Sequence, residues 1–184
     1  MPPSRYALRT PPGVKTRRPG EQRGVQRWVD GDTDPVSAYV DEQTRIETGD
    51  LVWMHGHLCL PAGELALRTA GTATWTQQQA VVARGFLGVA LERSPIGQAG
   101  VVRVATAGDF VFPCRATRAQ VGARVAVEPS LDGTCLADHR VILTPDPARA
   151  VGRVARIARN QATQLTVRIF SRVFVPPCWE IKKR

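Results

Sequence analysis

Long apolar runs are missing from this chain of 184 residues. No stretch reaches the roughly 18 consecutive apolar residues that a membrane-spanning helix needs, so no membrane partner is expected. Residues 1–13, MPPSRYALRTPPG, hold no apolar run of the kind a secretory signal carries, and no such signal is expected. Aromatic residues are scarce, at 6%. Trp28, Trp53, Trp75 and Trp179 are scattered and do not interleave with a basic stripe, as a stacking platform for nucleic acid requires. Trp53 reads as core.

Catalytic and nucleotide-binding motifs are missing too. The nearest string to a phosphate-binding loop, Gly13-Val14-Lys15-Thr16, lacks the Gly-Lys adjacency and sits in a proline-rich segment. No Gly-x-Ser-x-Gly elbow, HExxH, EF-hand loop or GxGxxG is present. The acid clusters, Asp41-Glu42 and Asp30/Asp32/Asp34, fall in turn-like polar segments. With no residue placed for chemistry, the expectation is a protein that is not an enzyme and takes no cofactor.

Turn formers are plentiful, with 16 Gly and 14 Pro, and 43% of residues are hydrophobic. That composition disfavours a helical bundle and supports a turn-rich β fold with a buried core. Short Val-rich runs recur: Ile46, Leu51–Met54, His57–Leu60, Glu64–Leu67, Phe86–Leu91, Val101–Thr106, Phe110–Cys114, Arg124–Glu128, Val141–Leu143, Val151–Ala158 and Gln164–Phe170. Alternation is clearest in Val101–Val104 and Leu165–Phe170, which read as half-buried strands. Thr76–Arg84 fits a short helix, or a loop followed by a strand. Many short strands predict an all-β fold, a small barrel or sandwich.

The chain also echoes itself. Thr48-Gly49-Asp50-Leu51-Val52 resembles Val121-Gly122-Ala123-Arg124-Val125, and Phe86-Leu87-Gly88-Val89-Ala90 resembles Ala150-Val151-Gly152-Arg153-Val154. The order is kept while the spacing drifts, which predicts an internal duplication with half-repeats at about 46–106 and 119–170.

The four cysteines, Cys59, Cys114, Cys135 and Cys178, have no CxxC spacing and are expected as free, mostly buried thiols. His55-Gly56-His57-Leu58-Cys59 is the one site-like string: alternate strand residues share a face, so His55, His57 and Cys59 form a weak candidate zinc set. The competing reading is a hairpin turning at Gly56. Asp138-His139 reads as a polar turn.

Charge divides the chain into three segments. Residues 1–27, rich in Pro and Arg, hold seven basic groups against Glu21, a net of +6, and Lys182, Lys183 and Arg184 add +3. Residues 28–181 hold 15 Arg against 15 acids, a net of zero. The expected organisation is an extended basic arm over 1–27, a β domain over 28–172 and an apolar, basic-ended tail over 173–184. A neutral body argues against a broad nucleic-acid-binding face, and basic ends argue for reaching an acidic partner. The candidate partner-binding residues are Arg5, Tyr6, Arg9, Arg17, Arg18, Arg23 and Arg27, with Trp28 and Trp179 as anchors where the ends join the body.

The strings Ile46-Glu47-Thr48-Gly49-Asp50-Leu51-Val52, Gly85-Phe86-Leu87-Gly88-Val89-Ala90 and Gly100–Phe112 (GVVRVATAGDFVF) together resemble the tailed-phage capsid decoration, or cement, proteins, a small β family often mislabelled as RecA-like recombinases. The resemblance spans about residues 36–172 and leaves out the arm and tail. It implies a non-enzymatic, tulip-like β domain on the outer surface of the virion, bound to the major capsid protein, often as a homotrimer, and made in the host cytoplasm. The alternative is a nucleic-acid-binding β-barrel that uses its basic termini as phosphate clamps.

Overall fold

The computed structural model describes residues 28–30, 35–65, 73–131 and 133–173, and for 28–30 the backbone alone. Alternation builds its strands. In β11 (Ala158–Phe170), Leu165, Val167 and Ile169 are buried while Gln164, Arg168 and Phe170 are exposed. In β6 (Gly100–Ala105), Val102 and Val104 are buried while Val101 and Arg103 face out. A period of two puts alternate residues on opposite faces, so each such strand has one dry and one wet side.

Among the described residues eleven strands form two antiparallel sheets. The five-stranded sheet runs β2-β6-β5-β3-β4, with β2 at Pro35–Val40, β3 at Leu51–His55, β4 at Leu58–Pro61 and β5 at Phe86–Ala90. Its edge strands β2 and β4 approach each other, so the sheet is nearly closed into a barrel. Val40, Ile46, Val52, Cys59, Leu87 and Val104 fill it. The six-stranded sheet runs β1-β7-β11-β10-β8-β9, with β1 at Trp28–Asp30, β7 at Ala107–Ala119, β8 at Arg124–Pro129, β9 at Leu136–Leu143 and β10 at Gly152–Val154. A second core joins the halves: Trp53, Leu60, Val82 and Phe86 meet Phe112, Val125, Leu136 and Ile169. Phe86 and Phe112 are fully buried; each contributes roughly 1.5–3 kcal/mol relative to exposure.

The helix α1 (Trp75–Arg84) closes the seam. Thr74 caps it: the Gln77 N–H donates to Thr74 Oγ1 at 3.4 Å, and the Thr74 N–H donates to Gln77 Oε1 at 2.8 Å. This reciprocal box satisfies two backbone donors that a helix start leaves open. Gln79 lies on the buried face and is bonded at both ends of its amide: its Nε2 donates to the Val127 carbonyl at 2.5 Å, and Arg149 Nη1 donates to its Oε1 at 3.5 Å. The polar run Gln77–Gln79 therefore belongs to a helix, not to a loop and a strand.

Three expectations need correction. Glu64–Leu67 does not begin a strand: Ala62–Glu64 is a 3₁₀ turn, Leu65 has a helical backbone, and 66–72 lie outside the described residues. The turn is held from both sides, by the Gly63 N–H donating to Asp138 Oδ1 at 2.6 Å and by Thr44 Oγ1 donating to Glu64 Oε2 at 3.1 Å. Asp138 and His139 are not a turn but the middle of β9, where Asp138 serves as that acceptor. The body also begins with two strands, β1 and β2, that the turn-rich acidic string 30–35 concealed. Pro35 opens β2, a position where its missing N–H costs no ladder bond.

The sheets repeat one plan. The order β2-β6-β5-β3-β4 recurs as β7-β11-β10-β8-β9, with β1 added beyond β7. The Gly49 N–H donates to Ala90 O at 2.7 Å and the Ala90 N–H to Asp50 O at 2.9 Å; the Gly122 N–H donates to Val154 O and the Val154 N–H to Ala123 O, both at 2.8 Å. Gly88 in β5 and Gly152 in β10 are also counterparts, pairing with Val52 and Val125. Both sit where a neighbouring backbone comes too close for a side chain. A Cβ on Gly88 would lie 1.9 Å from Ala105 O, and one on Gly152 would lie 2.6 Å from Arg168 O. Gly88→Ala should therefore cost about 3 kcal/mol or more, and Gly152→Ala about 1–3 kcal/mol, in urea denaturation. Wild-type stability in Gly88→Ala would contradict this close approach.

Candidate partner-binding surface

Of the residues expected to bind a partner, Arg5, Tyr6, Arg9, Arg17, Arg18, Arg23, Arg27 and Trp179 lie outside the described residues. Trp28 opens β1, and its backbone pairs with Phe110 of β7. On the other flank of β7, β11 ends with Phe170 opposite Ala107. The basic arm and the tail therefore join the body on either side of one strand, about 10 Å apart along it at ~3.4 Å per residue. Past β11 the chain is fastened across both sheets. The Ser171 N–H donates to Thr106 O at 2.7 Å, the Arg172 N–H to Phe86 O at 2.8 Å, and Arg172 Nη2 to Pro147 O at 2.8 Å.

The neutral body is a sum of two unlike halves. Residues 28–106 carry five Arg against nine acids, a net of −4, and residues 107–172 carry ten Arg against five acids, a net of +5. Glu180 completes the zero. The basic excess of the body thus lies in the stretch that forms β7 to β11 of the six-stranded sheet. The signal is legible in the sequence once the body is divided at β7.

Two acids of the second sheet are committed to arginines. Glu128 is 1% exposed, and its oxygens accept from Arg115 Nε at 2.7 Å and Arg140 Nε at 3.1 Å. The three residues come from β7, β8 and β9, so only folding brings them together. Asp109 holds Arg168 through two parallel bonds, at 2.7 Å to Nε and 2.9 Å to Nη2. Such a fork-to-carboxylate pair fixes orientation as well as charge. Burial, with the Glu128 carboxylate nearby, pushes the Cys114 thiol above its ordinary value, against an opposing pull from Arg140.

The candidate zinc residues do not converge. His55 and Leu58 pair across a tight hairpin whose Gly56 has φ +61°, and His57 lies in that turn. His55 is exposed and set edge-on to Trp53, with ring centroids 5.5 Å apart; His57 is exposed and stacks on Tyr39 at 6.2 Å. Cys59 points into the barrel interior, and burial pushes its thiol up to about 12. Among the described residues no group of three His, Cys, Asp or Glu is arranged to hold a metal ion, and no helix is long and apolar enough to cross a membrane. An open depression of about 290 Å³ is lined by Arg45, Glu47, Arg93, Ser94, Pro95 and Ile96. Arg45 and Glu47 in that lining form an ion pair at 2.7 Å.

No protein-family model matches the chain, and no curated protein does. Among solved structures, the N base of the head fiber gp8.5 of bacteriophage phi29 overlaps it with a TM-score of 0.40 and 15% identity, over 74% of this chain and 94% of that one. At that score the overlap is loose, and it carries no functional weight.

Two outcomes follow from these contacts. Glu128→Ala leaves Arg115 and Arg140 without their shared acceptor; both can turn partly to water, so the loss should be about 1–3 kcal/mol, read by denaturant melting. Cys59 should resist a thiol reagent in the folded protein while Cys135 reacts. Because the folded Cys59 pKa is raised from 9.0 to about 12, its contribution to stability is complete below about pH 9 and is lost as pH rises from there toward 12. Rapid labelling of Cys59 without unfolding would contradict its burial.

Proposed function

We propose that this chain is a non-enzymatic structural protein of a tailed-phage virion, a decoration protein that binds the outer surface of the major capsid protein shell and stabilises it. The observation that carries the reading is the placement of charge: the net +9 of the chain resides in residues 1–27 and 182–184. The resemblance over residues 36–172 to capsid decoration proteins supports it, as does the joining of arm and tail to strands on either side of β7.

In this reading Arg5, Arg9, Arg17, Arg18, Arg23 and Arg27 pair with carboxylates of the shell, while Tyr6, Trp28 and Trp179 supply apolar anchors. The planar guanidinium bonds a carboxylate through two parallel donors. Each exposed pair contributes only about 0–1 kcal/mol. Firm attachment therefore comes from the number of contacts and from avidity across a homo-oligomer, here a trimer. The ten arginines of residues 107–172 favour a second reading, nucleic-acid binding by a β-barrel with basic termini.

Deleting residues 1–27 tests the first reading. Co-sedimentation with capsid shells should fall sharply, and the shells should lose heat resistance; unchanged occupancy and unchanged shell stability would sink it. A gel shift across a salt series separates the second. Binding of free DNA whose logarithm falls steeply and linearly with the logarithm of salt would favour the nucleic-acid reading instead.

A further inference from the structure

The register of the six-stranded sheet lines up charges that are far apart in sequence. Asp109 of β7 pairs with Arg168 of β11, Arg168 with Arg153 of β10, and Arg153 with Arg124 of β8. Residues directly opposite on neighbouring antiparallel strands project to the same face. The result is one transverse row that opens on an acid, Asp109, and continues through three arginines.

Like charges placed opposite one another destabilise a sheet. Arg168 is relieved by its two bonds to Asp109. Arg153 and Arg124 are exposed, and among the described residues neither has an ion pair; Arg124 donates only to the Pro145 carbonyl, at 3.4 Å. Asp146, the next residue, is engaged by Arg149 at 2.9 Å. The body thus keeps two arginines side by side without the counter-charge that their neighbour in the same row enjoys.

We infer that Arg124 and Arg153 form a docking point for an acidic segment of a partner protein, one carboxylate seating between them as Asp109 seats on Arg168. The two arginines without an ion pair stand on neighbouring strands, ~4.8 Å apart across the ladder. Asp109 ends the basic stretch on the β7 side, with its carboxylate already held by Arg168. The other exposed arginine of β11, Arg159, stands nine residues from Arg168, roughly 30 Å along the strand. Two adjacent arginines match one carboxylate of a short acidic segment. It goes beyond the reading of the ends as grips, because it belongs to the folded body and stands on strand register alone.

Full-length protein with a deca-aspartate peptide at low salt provides the test. Labelling by phenylglyoxal, mapped by mass spectrometry, reads each arginine separately, so binding by the arm does not mask the result. The peptide should protect Arg124 and Arg153 at least about threefold relative to Arg103, an exposed arginine on the other sheet. Arg153→Gln should abolish the protection of Arg124, yet melt at or up to about 1–2 °C above wild type, since it removes a like-charge neighbour. Absence of protection overturns the inference. So does a melting temperature several degrees lower, which would mark Arg153 as a structural residue. A 20-base-pair DNA duplex that protects the pair better than the peptide would overturn it in favour of nucleic acid. Loss of shell binding on deleting residues 1–27 leaves this result untouched, so the two proposals fail separately.

Discussion

The pairing of β7 with β11, thirteen residues each, organises everything else in the molecule. Its inner side supplies Phe110, Phe112, Leu165, Val167 and Ile169 to the core that joins the two sheets. Its outer side supplies the Asp109–Arg168 fork. Its far end presents Arg115 to the buried Glu128. Both chain ends attach beside it, through β1 and through the residues after Phe170. A register slip of one residue in this pair would exchange the two faces and lose core, fork and buried acid together.

The two sheets resemble each other in strand order and in the bonds at Gly49 and Gly122, but they have different surroundings. The first curls on itself and keeps a core of its own, with Cys59 and Val104 inside. The second carries the extra strand β1 and faces the first across the larger core. The helix and the 3₁₀ turns at Ala62–Glu64 and Pro147–Arg149 sit between them, where Gln79 reaches the Val127 carbonyl and Arg149. One plan thus serves two purposes: a nearly closed, mildly acidic half and an open, basic half.

Much of this was legible in the sequence, and the limits have physical causes. Alternation located β6 and β11 because each has one wet face. The repeated strings around Gly49 and Gly122 fall at equivalent hydrogen bonds because the same turn recurs. Three local signals could have been weighted more: Thr74-x-x-Gln77 is a capping box that favours the helix, Ser37–Val40 alternates behind the proline that opens β2, and a sum over each half exposes the charge partition. The rest was out of reach. Glu128, Arg115 and Arg140 meet from three strands, and Arg124, Arg153 and Arg168 align only through register. The string His55–Cys59 reads as a ligand set only if alternation runs through Gly56, where the chain reverses.

The fastening of Ser171 and Arg172 to Thr106 and Phe86 has a mechanical consequence. Tension applied through the tail first meets these bridges and then loads β11 lengthwise, so a long ladder must yield in shear, many bonds at once. Tension applied through the arm meets β1, a three-residue strand at the margin of its sheet, whose bonds can peel one after another. The same body is therefore stiff toward a pull from one terminus and yielding toward a pull from the other.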